Sequence, residues 1–210
     1  MLSSSHETFA TLARRNGPPP LWVRTPNFET VTRLILEQQV SLASANAAYR
    51  RLNERLGSVD PIGFLTLTDG ELREIGFSRQ KTGYVRGVAD LIASGALDLG
   101  AVAMLEDEEA EARLMDVRGI GRWTAACFLL FAKGSPDIWP SGDRALYVSM
   151  ASVFDLASVP DRDEADRMAA SWSPHRSTAA RMLWHDYLGG REYVPTDTSG
   201  FAEGTGMVPK

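Results

Sequence analysis

The stretch VRGIGRWTAACF, Val117 to Phe128, determines how the rest of this sequence is interpreted. Two glycines, Gly119 and Gly121, flank Ile120 and stand directly before a segment with helical patterning. Glycine permits positive φ and lets a ligand approach the backbone closely. Exposed N–H groups that lead into a helix N-terminus form an anion site, which the helix dipole strengthens. The stretch therefore indicates either an anion-binding hairpin or an ordinary tight turn between two helices.

Helical patterning continues on both sides of this stretch. Residues 28–39, FETVTRLILEQQ, repeat apolar side chains at helical spacing. Ser41 and Ser78 stand at positions typical of N-caps, and Thr68 with Glu71 has the spacing of a capping box. Sustained alternation of period two is missing from the sequence, so we predict an all-α fold.

The composition is that of an ordinary globular protein, with 210 residues, 44% hydrophobic and 23% charged. No apolar run approaches the roughly 18 residues that span a bilayer, and the N-terminus lacks a signal-peptide core. A single cysteine, Cys127, excludes an intrachain disulfide and a cysteine-ligated iron–sulfur cluster. We therefore expect a cytoplasmic protein without membrane contact. The formal net charge of −5 means that nucleic-acid binding would need local cations and backbone donors.

Five blocks of the sequence, spread over residues 7–188, together resemble one known family. They are FETVTRLILEQQVSLASANAAYRRL, GFSRQKTGYVRGVADLI, LMDVRGIGRWTA, DIWPSGDRAL and WSPHRSTAARMLW. In this order they are similar to the helix-hairpin-helix DNA glycosylases, and most similar to the 3-methyladenine (alkylation) glycosylase II branch.

The resemblance implies two helical lobes that flank a DNA-binding cleft. The glycosylase domain would span residues 1–190. One lobe would cover residues 27–117, and residues 118–190 with an N-terminal arm, 1–26, would form the other. Residues 191–210 are rich in Gly, Thr and Pro, which predicts a flexible tail.

The resemblance also implies how the hairpin would hold DNA. Backbone N–H groups would bind a phosphate with few cations, so the negative net charge does not exclude DNA binding. The predicted phosphate-binding residues are Gly119, Gly121, Arg122 and Thr124. In the family, hairpin carbonyls often hold a monovalent cation, and the corresponding residues are Met115, Val117 and Ile120. We expect no required cofactor beyond such an Na⁺ or K⁺ ion.

Asp143, in WPSGDRAL, is the predicted catalytic residue. An aspartate before a helix is by itself most often an N-cap, but the family's essential aspartate falls on this position. Many relatives carry a second acid where this sequence has Gly142. An ionised carboxylate would stabilise the positive charge that develops on deoxyribose and could orient the attacking water. An alkylated purine is already cationic, so its departure requires no general acid.

The predicted base pocket is aromatic. Trp123 stands where strand-cleaving members of the superfamily place a Schiff-base lysine, which implies an enzyme without lyase activity. Its indole would stack on a flipped cationic base, worth about 0.5–2 kcal/mol. Trp172 matches a second pocket aromatic, and core packing is the alternative for both tryptophans. Cys127 replaces a pocket tyrosine of close relatives and would enlarge the pocket. Gln39 would face the DNA at the pocket, or else cap a helix.

Base flipping also requires a side chain that fills the vacated stack. A leucine in the intercalating loop of some relatives aligns with Arg79, so Arg79 or Gln80 would be the wedge. Further phosphate contacts are expected at Arg79, Lys81, Arg122 and Lys133, whereas Arg176 is expected to support the cleft through ion pairs.

These features predict a monomeric, monofunctional glycosylase that excises alkylated purines from double-stranded DNA. Two alternatives remain open from the sequence. One is a helix-hairpin-helix glycosylase for oxidised or mismatched bases, which the missing lysine and cysteines disfavour. The other is a non-catalytic module that uses the hairpin only to hold DNA.

Overall fold

A computed structural model describes residues 6–189, and every regular element within this range is helical, as predicted. None of these helices combines the length and apolarity that crossing a membrane requires. The elements in chain order are α1 (Glu7–Asn16), α2 (Phe28–Glu37), α3 (Leu42–Leu56), α4 (Pro61–Thr66), α5 (Asp69–Ile75), α6 (Arg79–Ala93), α7 (Leu99–Val102), α8 (Asp107–Met115), α9 (Arg122–Phe128), a π-helical turn (Leu129–Lys133), α10 (Arg144–Val153), α11 (Arg162–Ala170) and α12 (Arg176–Tyr187).

The helices bury their apolar faces in two cores. The first core is built from α2 to α9, with Leu34, Phe64 and Leu114 among its fully buried side chains. The second core combines α1 with α10, α11 and α12. The predicted boundary after residue 117 assigned α9 to the second lobe. That assignment is wrong, because Ala125, Cys127 and Phe128 of α9 pack in the first core.

Local sequence signals account for where several helices begin. The side chains of Ser41 and Ser78 accept hydrogen bonds from the backbone of the first turns of α3 and α6, as predicted. Thr68 and Glu71 form the predicted reciprocal capping box at α5. A hydrogen bond from the Thr68 backbone N–H and, to a smaller extent, one from the Arg55 guanidinium lower the pKa of Glu71 to about 2.

The N-terminal arm returns to the second lobe and then crosses to the first. Helix α1 packs on α12, and the chain after it is extended through a run of prolines. Arg181 donates through Nε to the carbonyl of Leu21 (3.1 Å) and through Nη2 to that of Leu130 (2.7 Å). The N–H of Arg24 donates to the carbonyl of Phe131 (2.9 Å). These bonds position the intervening Trp22 between the lobes. The predicted tail, 191–210, lies outside the described residues.

Candidate active site

A large cleft of about 1430 Å³ lies where the two cores meet. The hairpin and the end of α2 contribute one part of its lining, and the start of α10 and the end of α12 contribute another. Its lining includes Trp22, Arg24, Glu37, Gln38, Gln39, Gly119, Gly121, Trp123, Cys127, Phe131, Asp143 and Trp184.

Asp143 lies in this cleft and is held by three N–H donors. It is the N-cap of α10, and its Oδ1 accepts from the backbone N–H of Leu146 (2.9 Å). The indole Nε1 of Trp184 donates to the same oxygen at 3.2 Å, and the indole Nε1 of Trp123 donates to Oδ2 at 2.9 Å. Hydrogen bonds to both oxygens fix the orientation of the carboxylate. The structure gives Asp143 no cationic partner within residues 6–189.

The position before Asp143 is Gly142, and its backbone conformation disfavours a second acid there. Its φ is +88°, and a Cβ placed there would lie 3.1 Å from Nη2 of Arg162. Its N–H donates to the hydroxyl of Tyr147 at 2.6 Å. A side chain at this position would therefore be strained and would displace the arginine.

Trp123 is half-buried and lines the cleft, as predicted for a pocket aromatic. Its bond to Asp143 adds a second role, because the indole also orients the carboxylate. The prediction that Trp172 lines the pocket is wrong. Trp172 is 3% exposed and packs against Phe9 (5.2 Å between ring centroids) and Phe154 (5.7 Å) inside the second core.

Trp184, and not Trp172, is the second tryptophan of this region that lines the cleft with Trp123. It lies in the same sequence block, WSPHRSTAARMLW, one helix further on, and bonds to Asp143 from α12. The sequence alone carries no signal for this choice, because both tryptophans lie in one block and the contacts that place them come from residues distant in sequence. Trp184 stacks on Phe131, with 5.4 Å between the ring centroids and 28° between the planes.

Phe131 and Trp22 extend this aromatic wall, and sequence reasoning missed both. Phe131 is carried by the π-helical turn after α9, a local widening that apolar periodicity does not reveal. Trp22 packs edge-on against Phe131 (6.5 Å) and Trp184 (6.4 Å). Its φ of 49° is rare for a bulky residue, so neighbouring contacts must hold the backbone there.

An ion pair lines the same cleft, and sequence reasoning also missed it. Nη2 of Arg24 lies 2.9 Å from Oε1 of Glu37, and each side chain is 11% exposed. Cys127 is fully buried beneath the cleft, and this burial is the main cause of its raised pKa. The negative charges of Asp143 and Glu37 raise the pKa further, whereas the positive charge of Arg24 lowers it. The thiol is therefore protonated at neutral pH, and Cys127 does lie at the cleft as expected.

The hairpin between α8 and α9 is locked by contacts from both sides. Gly119 has a φ of +97°, and a Cβ placed there would lie 2.3 Å from Cγ of Tyr84. Nε2 of Gln38 donates to the carbonyl of Gly119 (3.0 Å) and to Oγ1 of Thr124 (2.9 Å). Ile120 is buried beneath the turn. Only glycine fits at Gly119, because both the φ value and the tyrosine exclude a side chain.

The hairpin presents backbone donors, as an anion site requires. Within residues 6–189, the N–H groups of Gly119 and Gly121 donate to no acceptor, and Gly121 is exposed at the N-cap of α9. The prediction that the Thr124 hydroxyl binds phosphate is wrong. Thr124 is 2% exposed and accepts from Gln38, so it supports the hairpin from inside.

Four arginines, all exposed, line the cleft and have no ion-pair partner within the described range: Arg118, Arg122, Arg144 and Arg162.

Two other predicted phosphate contacts are wrong. Lys81 donates to the carbonyls of Leu36 (2.7 Å) and Gln38 (2.8 Å), closing the end of α2, and burial lowers its pKa. Lys133 lies away from the cleft and pairs with Asp107 (3.4 Å). Arg176 forms the predicted structural ion pair, with Asp137.

Gln39 and the wedge candidates lie around the mouth of the cleft. Gln39 is exposed on the cleft side, with a φ of 56° between α2 and α3. Gln80 also lines the cleft, and its Nε2 donates to the hydroxyl of Tyr84 at 2.6 Å. Arg79 is exposed at the start of α6 but does not line the cleft. Of the two wedge candidates, Gln80 is therefore the better placed.

The three residues expected to offer carbonyls to a cation, Met115, Val117 and Ile120, lie along the hairpin and line the cleft. The carbonyl of Val117 accepts from the N–H of Ile120 at 3.0 Å, which leaves its second lone pair for a ligand. Backbone oxygens of a turn are suitable donors for a hard monovalent cation.

An all-helical fold with a glycine hairpin and a buttressed carboxylate facing one cleft defines a helix-hairpin-helix protein. The chain belongs to the HhH-GPD superfamily of base excision DNA repair proteins, whose sequence profile matches residues 32–175.

Comparison with individual proteins agrees with this assignment. An alkylbase DNA glycosidase-like protein of Schizosaccharomyces pombe is 28% identical, over 87% of this chain and 89% of its own length. A DNA-3-methyladenine glycosylase of Bacillus subtilis is 29% identical over 75% of this chain, which spans 56% of that relative's length. The structure of the S. pombe 3-methyladenine DNA glycosylase in complex with abasic DNA superposes with a TM-score of 0.80 at 25% identity, covering 88% of this chain and 93% of that one.

Proposed function

We propose that the protein is a monofunctional DNA glycosylase that flips alkylated purines of the 3-methyladenine type out of DNA and excises them in base excision repair. The observation that carries the proposal is the Asp143 carboxylate, which faces the cleft and is held by the indoles of Trp123 and Trp184. The names of similar proteins, among them DNA-3-methyladenine glycosylases, support the substrate class.

Asp143 would act as an anion rather than as an acid. Departure of a cationic base leaves positive charge on C1′ and O4′ of the sugar, and a fixed negative charge nearby stabilises that state. The carboxylate would also orient water for attack on C1′. Because the bonds from Leu146, Trp123 and Trp184 hold it in place, little reorganisation is needed when the charge develops.

The aromatic wall would receive the flipped base. Trp123, Trp184, Phe131 and Trp22 line the cleft together, and a cationic purine gains both stacking and cation–π attraction from such rings. Trp123 also occupies the place of the Schiff-base lysine in strand-cleaving members of the superfamily. With an indole in place of an amine, the site offers no nucleophile for lyase chemistry there.

The hairpin would bind a DNA phosphate beside the lesion through the N–H groups of Gly119 and Gly121 and through Arg122. The carbonyls of Met115, Val117 and Ile120 would hold Na⁺ or K⁺ next to that phosphate, and the ion would add positive charge to the site. Gln80 would fill the vacated stack. We expect a monomer to suffice, because one chain contains every group named here.

A base-release assay on defined duplexes tests the proposal. The protein is incubated with matched duplexes containing 7-methylguanine, 1,N6-ethenoadenine, 8-oxoguanine or no lesion, and free base is measured by chromatography. We expect release of an alkylated base and an intact abasic strand that breaks only after alkali. Borohydride should trap no covalent adduct.

Other outcomes would replace the proposal with a specific alternative. Release of 8-oxoguanine alone, or strand breakage without alkali, would indicate a glycosylase for oxidised bases. Binding of damaged DNA without release of any base would indicate a non-catalytic DNA-binding module.

A further inference from the structure

The cleft contains a second carboxylate, Glu37, that no step of the proposed reaction uses. Glu37 is the last residue of α2 and pairs with Arg24, and both side chains line the cleft while remaining 11% exposed. On the same helix, Glu29 pairs with Arg33 (3.3 Å) but does not line the cleft. The Glu37–Arg24 pair, unlike the Glu29–Arg33 pair, therefore borders the space that a flipped base would enter.

A series of side-chain contacts connects Glu37 to the aromatic wall, where a flipped base would stack. The Arg24 guanidinium lies over the ring of Phe131, 5.2 Å from its centroid. Phe131 stacks on Trp184, which bonds to Asp143. Along this chain of contacts, Glu37 and Asp143 therefore lie at opposite ends of the aromatic wall.

The electrostatics of the cleft floor agree with this placement. The thiol of Cys127 experiences the negative charges of both Asp143 and Glu37, and the positive charge of Arg24 opposes them. Cys127 also has a small side chain, and it lies at the floor of the cleft space that Glu37 and Asp143 both line. A base that enters this space meets a negative group in a poorly solvated site, where charge interactions are strong.

We propose that Glu37 is a specificity-determining residue that contacts the flipped base and favours purines that carry a positive charge and an N–H donor. This inference rests on the proposed function and names what the same site prefers. The carboxylate accepts a hydrogen bond from the base and stabilises its charge, and the positive charge of Arg24 opposes part of that stabilisation. A neutral base without an N–H on the facing edge gains neither interaction.

The test compares two lesions in the same duplex sequence, cationic 7-methylguanine and neutral 1,N6-ethenoadenine, by single-turnover base release. Glu37→Gln keeps the size of the side chain and removes its charge. We expect the rate on 7-methylguanine to fall about 10- to 100-fold, the effect of losing one charge-assisted contact, with ethenoadenine changed less than about threefold. Arg24→Gln removes the opposing cation and should shift the ratio of the two rates towards 7-methylguanine.

Glu29→Gln is the matched control, since it disrupts a comparable ion pair on the same helix outside the cleft. It should leave the ratio of the two rates unchanged, and thermal melting reports whether any variant has lost its fold. Equal losses on both lesions in Glu37→Gln and Arg24→Gln would show a purely structural ion pair and overturn the inference. An unchanged ratio in a wild-type-like Glu37→Gln would overturn it too. If the wild-type protein releases neither base, the proposed function fails first, and this inference fails with it.

Discussion

At the scale of single residues, the bond between Trp123 and Asp143 gives one side chain two tasks. The indole forms part of the aromatic wall and at the same time donates its N–H to the carboxylate. Trp123 thus helps to hold the Asp143 carboxylate in a fixed orientation at the cleft.

Trp123→Phe separates these two tasks, because phenylalanine keeps an aromatic face and removes the donor. We expect single-turnover base release to fall about tenfold or more, the cost of one hydrogen bond to a charged group, with lesion-DNA affinity nearly unchanged. Trp139→Phe is the control, since the Trp139 indole donates to Asp166 outside the cleft. An unchanged rate in Trp123→Phe would show that the bond contributes nothing to catalysis.

Cys127→Tyr tests whether the small residue sets the size of the pocket. The thiol is fully buried, so the larger ring should cost about 1–3 kcal/mol of unfolding free energy through overpacking. It should also narrow the cleft and lower release of ethenoadenine, whose third fused ring extends the purine plane, more than release of 7-methylguanine. Urea unfolding measures the first effect, and the ratio of release rates measures the second. A ratio equal to that of the wild type would refute the claim about pocket size.

At the scale of elements, the hairpin depends on packing as much as on glycine's freedom. Gly119 is excluded from carrying a side chain by its φ of +97° and by the ring of Tyr84. Gly121 has open space around the position of a Cβ and no positive φ. The two glycines of one motif therefore differ: the fold of the turn requires glycine at Gly119, whereas the position of Gly121 has room for a side chain.

Gly119→Ala and Gly121→Ala form a matched pair that tests this distinction. We expect Gly119→Ala to lose at least about 1–2 kcal/mol of unfolding free energy, because alanine is strained at positive φ and meets Tyr84. Gly121→Ala should unfold like the wild type. Urea denaturation of both variants measures the difference. Equal stability of the two would contradict the packing described here.

The sequence predicted some elements well and others poorly, for identifiable physical reasons. The caps at Ser41, Ser78 and Thr68 were predicted correctly, because capping depends on a few neighbouring residues. Trp172 and Trp184 lie in one sequence block, and local patterning does not decide which of two tryptophans faces a cleft. That choice is made by contacts between helices far apart in sequence, which motif spacing does not report.

At the scale of the whole molecule, the cleft is assembled from segments that sequence reading treated separately. Trp22 and Arg24 come from the N-terminal arm, Glu37 from α2, and Phe131 from a π-helical turn. Arg181 fixes the arm to the second lobe, and burial lowers its pKa to about 10. The resemblance supplied the fold and Asp143, whereas the Glu37–Arg24 pair follows only from how the arm crosses the lobes.

The distribution of charge also belongs to this scale, because a chain of net charge −5 must concentrate its cations to hold DNA. The four cleft arginines without ion-pair partners in the described range are the candidates. Replacing Arg118 or Arg122 by glutamine should weaken binding to any duplex and reduce the slope of log K against log salt by about 0.9, as for one lost phosphate contact. Fluorescence anisotropy at several salt concentrations measures the slope.

Arg73→Gln is the matched control for that series, since Arg73 is exposed on α5 away from the cleft. Its slope should equal that of the wild type. If Arg73→Gln lowered the slope as much as the cleft variants did, DNA would be held by the general surface and not by the cleft.

The central claim is that one ionised aspartate in the cleft stabilises the transition state of base release, and Asp143→Asn tests it most directly. Asparagine keeps the N-cap of α10 and the size of the side chain but removes the charge. Single-turnover release of 7-methylguanine should fall by about 10²–10³-fold or more, while melting temperature and lesion-DNA affinity stay near the wild-type values. Release at the wild-type rate by a folded Asp143→Asn protein would contradict the claim.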